Sequence, residues 1–212
     1  MSVEAGNLDK GLLAALDLAA DTLWADLTLA AIAEKAGVPL SDFHGLSGKD
    51  AFASMMDAYF DRAMSAEGVS ADDTPRERLF DVIMLRFEAM EDYRAGLVSL
   101  MKYRDRMPSL LLGLPAARKR TADWALVSAG LDNSSFAPPG LKAVAIAFVI
   151  ASAERAWRKE TSGDFALTMA ALDRGLREAE GRMETLQRYT GWGKRDKRQD
   201  DTAGDDTNVE ET

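Results

Sequence analysis

Apolar residues recur every three or four positions along most of the chain, which is the spacing of amphipathic helices, and no stretch alternates as a β-strand would. The first such stretch, residues 8–23, groups leucines and alanines on one face. Two longer stretches, residues 141–160 and 165–189, close the pattern. The first half of residues 141–160 is apolar on most sides, so other helices must cover it. The pattern predicts an all-α fold of about nine helices.

Turn-forming residues divide the predicted helices into two groups. The clearest break is GVSADDTP at residues 68–75, where Thr74 is a suitable cap ahead of Pro75. We place a domain boundary near this break. It separates an N-terminal domain of residues 1–66, here called the head, from a helical domain of residues 67–189, here called the body.

Three other segments are predicted to lie outside helices. MPSLLLGLP, residues 107–115, has the pattern of a short apolar connector ahead of a helix over residues 116–129. Residues 130–140, GLDNSSFAPPG, carry turn formers throughout and are predicted to be a loop. The tail, residues 190–212, is polar and almost free of apolar side chains. We predict that this tail is disordered.

The head contains the pattern of a helix-turn-helix in residues 28–52, TLAAIAEKAGVPLSDFHGLSGKDAF. Thr28 can cap a short helix, and Gly37 can supply the turn because it tolerates positive φ. Pro39 suits the first position of a second helix, since its missing N–H has no partner there. In a DNA-binding helix-turn-helix, the second helix lies in the major groove. The candidate DNA-contacting residues of that helix are Leu40, Ser41, Asp42 and His44.

The charge of the head is unfavourable for binding DNA. Residues 1–63 hold four basic and ten acidic residues, and the whole chain has a net charge of −9. Affinity for DNA comes largely from lysines and arginines that neutralise phosphates. The predicted second helix carries an acid, Asp42, and neither a lysine nor an arginine. Composition therefore argues against DNA as a partner of the head, although the helical pattern favours it.

Residues that could carry catalysis are sparse. The chain has no cysteine, which excludes disulfides and thiolate chemistry and is compatible with a reducing cytoplasm. His44 is the only histidine, and no nucleophile, glycine-rich loop or metal-ligand spacing accompanies the paired acids. We therefore predict a protein that is not an enzyme and that uses no metal or cofactor. Without a secretory leader or an apolar run long enough to span a bilayer, it is expected to be cytoplasmic.

The order of the predicted helices resembles the TetR family of transcriptional regulators, which has three short N-terminal helices, a connecting fourth helix and a larger helical body. The most specific match is LTLAAIAEKAGV, residues 27–38, and GKDAF, residues 48–52, resembles the start of the family's fourth helix. The resemblance implies phosphate contacts from Thr28 and Lys49. It also implies a homodimeric, ligand-responsive repressor that binds a DNA operator. The second helix departs from the family pattern, because Leu40 stands at its usual basic position.

A second resemblance covers parts of the body. LFDVIMLRFEAMEDY, residues 79–93, and WRKETSGDFALTMAALDR, residues 157–174, are similar to the TetR-shaped proteins that assist ubiquinone biosynthesis. Those proteins keep the fold, no longer act on DNA, and hold lipid or isoprenoid in an apolar C-terminal cavity. This resemblance implies an alternative function for the chain, namely binding a lipid or small apolar ligand without DNA contact.

Large apolar side chains of the body are candidates for a ligand pocket between helices, and about three or four of them are expected to line a cavity for a small apolar or lipid-like effector. The candidates are Phe80, Ile83, Met84, Phe87, Met101, Trp124, Phe148 and Trp157. The basic run at residues 118–120 either forms a solvated helix edge, which we favour, or pairs with an anionic ligand head.

The last two helices are predicted to form a four-helix interface with a second copy of the chain, because their apolar surface is broad and a twofold axis presents the same patch twice. The candidate interface residues are Val144, Phe148, Ala151, Phe165, Met169, Leu172 and Leu176.

Overall fold

The computed structural model describes residues 3–132 and 140–190 of the 212-residue chain. These ranges contain eight α-helices and three short 3-10 helices, and no β-strand, so the predicted all-α fold is confirmed. The 3-10 helices are Trp24–Asp26, Leu40–Phe43 and Arg62–Ser65. The α-helices are α1 (Val3–Asp21), α2 (Leu29–Ala36), α3 (Asp50–Asp61), α4 (Pro75–Glu91), α5 (Arg94–Arg104), α6 (Pro108–Ser128), α7 (Leu141–Trp157) and α8 (Ala166–Thr190).

The head is built from α1, α2, α3 and the short helices beside them. The side chain of Thr28 accepts a hydrogen bond from the backbone N–H of Ala31 at 3.2 Å, which caps α2 as predicted. Gly37 ends α2 with a φ of 64°, also as predicted. Trp24 and Phe52 are fully buried beneath α1, and they belong to one apolar core that continues from the head into the body.

The head packs directly against the body, so the two are in contact and not merely connected by a linker. Helix α1 lies against α5, and the closest point is at Gly96, where a Cβ atom would stand 2.0 Å from the carbonyl oxygen of Leu16. Helix α3 lies against α6. The segment between Ser65 and Pro75 leads into α4, which begins with a capping box formed by Thr74 and Glu77.

Buried charges also join the head to the body. Arg86 of α4 is 1% exposed and donates to Asp57 and Asp61 of α3 at 2.8 Å each. Arg104 of α5 lies 3.8 Å from Asp57 and donates to Glu154 of α7 at 3.1 Å. Four helices therefore share one buried ionic cluster, defined here by these five residues, and breaking one pair leaves a charge in the apolar core.

The electrostatics of this cluster keep Arg86 charged. Burial is the largest influence on the pKa of Arg86 and lowers it, but the carboxylates of Asp57, Asp61 and Glu154 outweigh burial and raise the pKa above its ordinary value. The guanidinium is therefore a permanent charge in the core, and α3 is held to α4 by two charge-assisted hydrogen bonds.

A second polar contact joins α4, α5 and α7. Arg94 donates two hydrogen bonds of 2.7 Å to the carboxylate of Glu91 and one of 2.6 Å to the carbonyl of Trp157. Its guanidinium stacks 4.3 Å from the centre of the Trp157 ring, whose Nε1 donates to Glu91. Hydrogen bonds from Arg94 are the main reason that the pKa of Glu91 lies below its ordinary value.

Helices α7 and α8 form the outer hairpin of the body, with Gly175 packed against Val149. The N-terminus of α8 is capped from two sides. Asp164 accepts from the N–H of Ala166, and Glu160 accepts from the N–H groups of Leu167 and Thr168. Helix α7 ends at Trp157, three residues earlier than predicted.

The structure corrects the prediction of a connector at residues 107–115. These residues belong to α6, which runs without a break from Pro108 to Ser128 and contains Pro115. Pro108 suits the first turn of a helix, where a missing N–H costs no hydrogen bond. Pro115 removes one hydrogen bond within the helix, but it lies at an exposed position, where water can bond to the carbonyl left without a partner. Most of the predicted loop, residues 133–139, and the tail from residue 191 lie outside the described residues, whereas Thr190 still belongs to α8. None of the helices in the described part of the chain could cross a membrane.

Candidate functional site

The element at the position of the recognition helix is a single 3-10 turn, Leu40–Phe43. The prediction of a second α-helix here was wrong. His44 has extended backbone angles, and Gly45 and Gly48 adopt φ values of 95° and 105°, which a right-handed helix cannot include. Phe43 anchors the turn, since its ring is buried and meets the ring of Phe52 edge to face at 5.2 Å.

The turn does bring the predicted DNA-contacting side chains to one exposed surface. Leu40 is 52% exposed, and Ser41, Asp42 and His44 are exposed as well. Asp42 accepts a hydrogen bond of 2.7 Å from the side chain of Asn7 in α1, which holds its carboxylate at the surface of the head. The surface of this turn therefore presents an acid and an apolar side chain, without a lysine or arginine in residues 40–48.

The two residues expected to contact phosphate have other partners. Lys49 donates to the carbonyl oxygens of Ala25 and Leu27, the latter at 3.0 Å, so its ammonium closes the turn after Trp24. The hydroxyl of Thr28 serves as the cap of α2. Neither group is left free in the described structure to meet a phosphate without giving up a contact inside the head.

Most of the predicted pocket residues form the core of the body. Ile83, Met84, Phe87, Met101 and Trp157 are buried, and Phe80 is half-buried against them. Trp124 and Phe148 are exposed, by 40% and 71% respectively. Within the described part of the chain, six of these side chains therefore belong to the packed core of the body and two lie on its surface.

Two grooves flank Phe148 on the surface of the body. The first, here called the α6–α7 groove, has a cavity volume of about 600 Å³. The second, the α7–α8 groove, has a cavity volume of about 370 Å³. Of the eight predicted pocket residues, Phe148 alone lines these two grooves. The α6–α7 groove is lined by Leu111, Leu114, Pro115, Ala116, Arg118, Lys119, Val144, Ala147, Phe148, Ala151 and Arg155.

The α7–α8 groove is lined largely by small and apolar residues and includes three charged side chains. Its lining is Leu141, Ala145, Phe148, Val149, Ser152, Ala171, Arg174, Gly175, Glu178, Ala179, Arg182, Met183 and Leu186.

The predicted interface residues divide between the surface and the core. Val144, Phe148 and Met169 are 45%, 71% and 38% exposed, and Phe165 is half-buried. Leu172 and Leu176 are buried in the core of the chain itself, and Ala151 is buried at the α6–α7 groove. Two further apolar residues outside the predicted interface, Leu141 and Leu167, are exposed on the same two helices.

The basic run at residues 118–120 is split by the structure. Arg118 and Lys119 line the α6–α7 groove together with Arg155, whereas Arg120 points elsewhere on α6. Arg118 donates to Glu154 at 2.9 Å, which connects the groove to the buried ionic cluster. The sequence did contain a signal for that cluster, because Arg86 and Glu154 interrupt apolar stripes at helical spacing.

The fold is that of solved TetR transcriptional regulators. The TetR transcriptional regulator from Nitrosomonas europaea ATCC 19718 matches with a TM-score of 0.66 and 21% sequence identity, over 82% of this chain and 97% of that chain. A TetR transcriptional regulator from Rhodococcus sp. RHA1 matches with a TM-score of 0.62 and 16% identity, over 84% and 97% of the two chains. No protein-family model and no curated protein matches the sequence. The chain is therefore a TetR-fold protein whose recognition element is shortened to one turn.

Proposed function

We propose that this protein is a homodimeric TetR-fold protein that binds an apolar, lipid-like ligand in its body and does not act by reading DNA. The observation that carries the proposal is the turn Leu40–Phe43, which replaces the recognition helix and offers no cation. A four-residue 3-10 turn extends about 8 Å at its usual rise, too short to follow the major groove as a recognition helix does.

Electrostatics of the head support the same conclusion. Binding to DNA requires lysines and arginines near the phosphates, and the turn instead presents Asp42. Recruiting Lys49 to a phosphate would break its two hydrogen bonds to backbone carbonyls and leave those carbonyls without their partner. The head is thus better explained as a packed support for the body than as a DNA-binding surface.

The body supports an apolar ligand. The α6–α7 groove falls within the range of about 300–1,000 Å³ that is typical of small-molecule sites. Eight of its lining residues are apolar, and among them Leu111 and Val144 are 39% and 45% exposed. Exposed apolar surface of this kind is unfavourable in water and is relieved when an apolar molecule covers it.

The α7–α8 groove supports the homodimer. Ala171, Gly175 and Ala179 leave space along α8, and Phe148 of α7 stands beside it as an exposed ridge. A second copy related by a twofold axis would place its own Phe148 against this groove and receive the first one in return. We therefore assign α7 and α8 to the dimer interface.

A test of DNA binding uses the purified full-length protein and a random duplex library, captured and sequenced at low salt and at about 150 mM salt. A TetR repressor with its own operator serves as the positive control. We expect weak retention without enriched sequences at either salt concentration. Enriched sites whose capture falls steeply with salt would contradict the proposal.

A separate test measures the apolar ligand. The protein is titrated with N-phenyl-1-naphthylamine, a neutral apolar fluorophore, and an organic extract of the purified protein is measured by mass spectrometry. Leu111→Asp places an acid in the α6–α7 groove, whereas Leu112→Asp is a matched control at a neighbouring residue that is 85% exposed and outside the groove. We expect the fluorophore to bind the parent chain and Leu112→Asp, and to bind Leu111→Asp weakly.

The second candidate function is a ligand-responsive transcriptional repressor that binds its operator as a homodimer. It is favoured by the capped helix α2, the turn at Gly37 and the fold shared with solved regulators. In that function, a ligand in the body would change the spacing of the two heads relative to DNA half-sites. The capture experiment separates the two candidates, since only the repressor requires enriched sites.

A further inference from the structure

We propose that the α6–α7 groove binds a single-chain anionic amphiphile, with its carboxylate or phosphate head at Arg118 and Arg155 and its apolar chain along α7. This inference rests on the proposed ligand-binding function and specifies the chemical class of the ligand. It is carried by the composition of the groove, the partners of its cations and the order of residues along α7.

The α6–α7 groove has a mostly apolar lining, and all of the charged residues in that lining are basic. Its three charged residues are Arg118, Lys119 and Arg155, and no acid is among the lining residues. This arrangement is unusual for a chain of net charge −9, in which acids outnumber bases. A neutral ligand would gain nothing from the three cations, whereas an anionic head would be attracted to them.

The three cations differ in their hydrogen-bond and ion-pair partners within the described part of the chain. Arg155 is exposed and has no hydrogen-bond or ion-pair partner among the residues that the structure describes. Lys119 pairs with Asp123 at 2.7 Å in an ion pair that is about half exposed, and such pairs contribute little. Arg118 uses one nitrogen for Glu154 and its side chain is 22% exposed, so part of its guanidinium still faces the groove, although its Nε is buried. Guanidinium groups with spare donors are well suited to bind carboxylate or phosphate.

The order of residues along α7 sets the orientation of the ligand. Val144, Phe148, Ala151 and Arg155 follow one face of the helix, so the apolar stripe ends at a cation. The ion pair with Glu154 brings Arg118 of α6 next to this end. From Val144 to Arg155 the helix rises about 16 Å, which gives an extended alkyl chain room to lie against Val144 and Ala151.

The test compares four probes of equal chain length by isothermal titration calorimetry below their micelle concentrations: dodecanoate, dodecyl phosphate, dodecan-1-ol and dodecylammonium. We expect both anions to bind about 10-fold more tightly than the alcohol, and the ammonium to bind most weakly. Comparison of dodecanoate with dodecyl phosphate identifies which head the site prefers. Equal binding of the alcohol and the anions would overturn this inference but leave the proposed function standing.

Two matched variants assign the effect to the groove. Arg155→Gln should weaken dodecanoate binding about 5-fold and leave binding of dodecan-1-ol unchanged, because only the charge of the head is affected. Arg120→Gln removes a neighbouring exposed arginine outside the groove and should change neither. Unchanged dodecanoate binding in Arg155→Gln would overturn the inference.

The same titrations distinguish other outcomes. If none of the four probes binds, the proposed ligand-binding function fails together with this inference. Sedimentation velocity of the samples tests whether a second copy occupies the groove. Dodecanoate that binds only when the dimer dissociates would assign the groove to the partner subunit and overturn the inference.

Discussion

Gly96 decides how closely the head can approach the body. Its Cα faces the backbone of Leu16 in α1, and an added Cβ would lie 2.0 Å from the carbonyl oxygen and 2.7 Å from the carbonyl carbon. Real Cβ contacts are essentially never shorter than 3.0 Å. Because both atoms belong to backbone, no side-chain rotation relieves the overlap, and Gly96→Ala must move α1 away from α5 by about 1 Å.

The cost of that movement can be set against the gain in helix propensity. Overpacking of a tight contact costs about 3 kcal/mol at the upper end of its usual range, since backbone cannot yield. Replacing glycine by alanine within a helix stabilises the folded state by at most about 1 kcal/mol through helix propensity. The net loss of about 2 kcal/mol corresponds to a fall in Tm of about 4–8 °C for a chain of this size.

The measurement is thermal unfolding followed by far-ultraviolet circular dichroism, with Gly181→Ala as the matched control. Gly181 lies within α8, and nothing stands within 4 Å of where its Cβ would be. The control should therefore gain about 1 kcal/mol and melt about 2–4 °C above the parent chain. A Gly96→Ala variant that melts at or above the control would refute the proposed close contact between α1 and α5.

Three further predictions concern the body. Arg86→Met leaves two buried carboxylates without their guanidinium, and the free energy of unfolding measured in urea should fall by about 3–5 kcal/mol; an unchanged midpoint would contradict the role of the buried ionic cluster. The folded-state pKa of Glu91 lies below 4.5 because of Arg94, so its stabilising effect is present above that pH and is lost as pH falls. The stability difference between the parent and Glu91→Gln should accordingly be constant at neutral pH and shrink below about pH 4.5 in urea titrations at stepped pH. Phe148→Glu should dissociate the proposed homodimer in sedimentation equilibrium, whereas an intact dimer would exclude Phe148 from the interface.

The candidate sites were only partly open to prediction from the sequence. The cations that line the α6–α7 groove are visible as Arg118 and Lys119, but their separation from Arg120 depends on which face of α6 the body covers. Arg155 lies 36 residues from Lys119 along the chain, so only the packing of α6 on α7 brings them to one groove. The core residues expected to line a pocket, such as Phe87 and Trp157, have the same apolar pattern whether they face a cavity or one another.

Local chemistry determined much of the fold. Thr28, Gly37 and Thr74 act through groups a few residues away, so their roles as caps and turn follow from sequence alone and recur in the structure. Periodicity likewise identified the long helices, because an amphipathic stripe needs only one apolar face to bury.

The tertiary structure determined two features of the head that the spacing of residues in the sequence does not specify. It reduced the recognition helix to one turn, since Phe43 is drawn into the core while Gly45 and Gly48 adopt positive φ. It also turned Lys49 toward the carbonyls of Ala25 and Leu27 instead of toward solvent. Both outcomes depend on groups that are distant in sequence and meet only in the packed head, where burial and hydrogen bonding outweigh the local pattern.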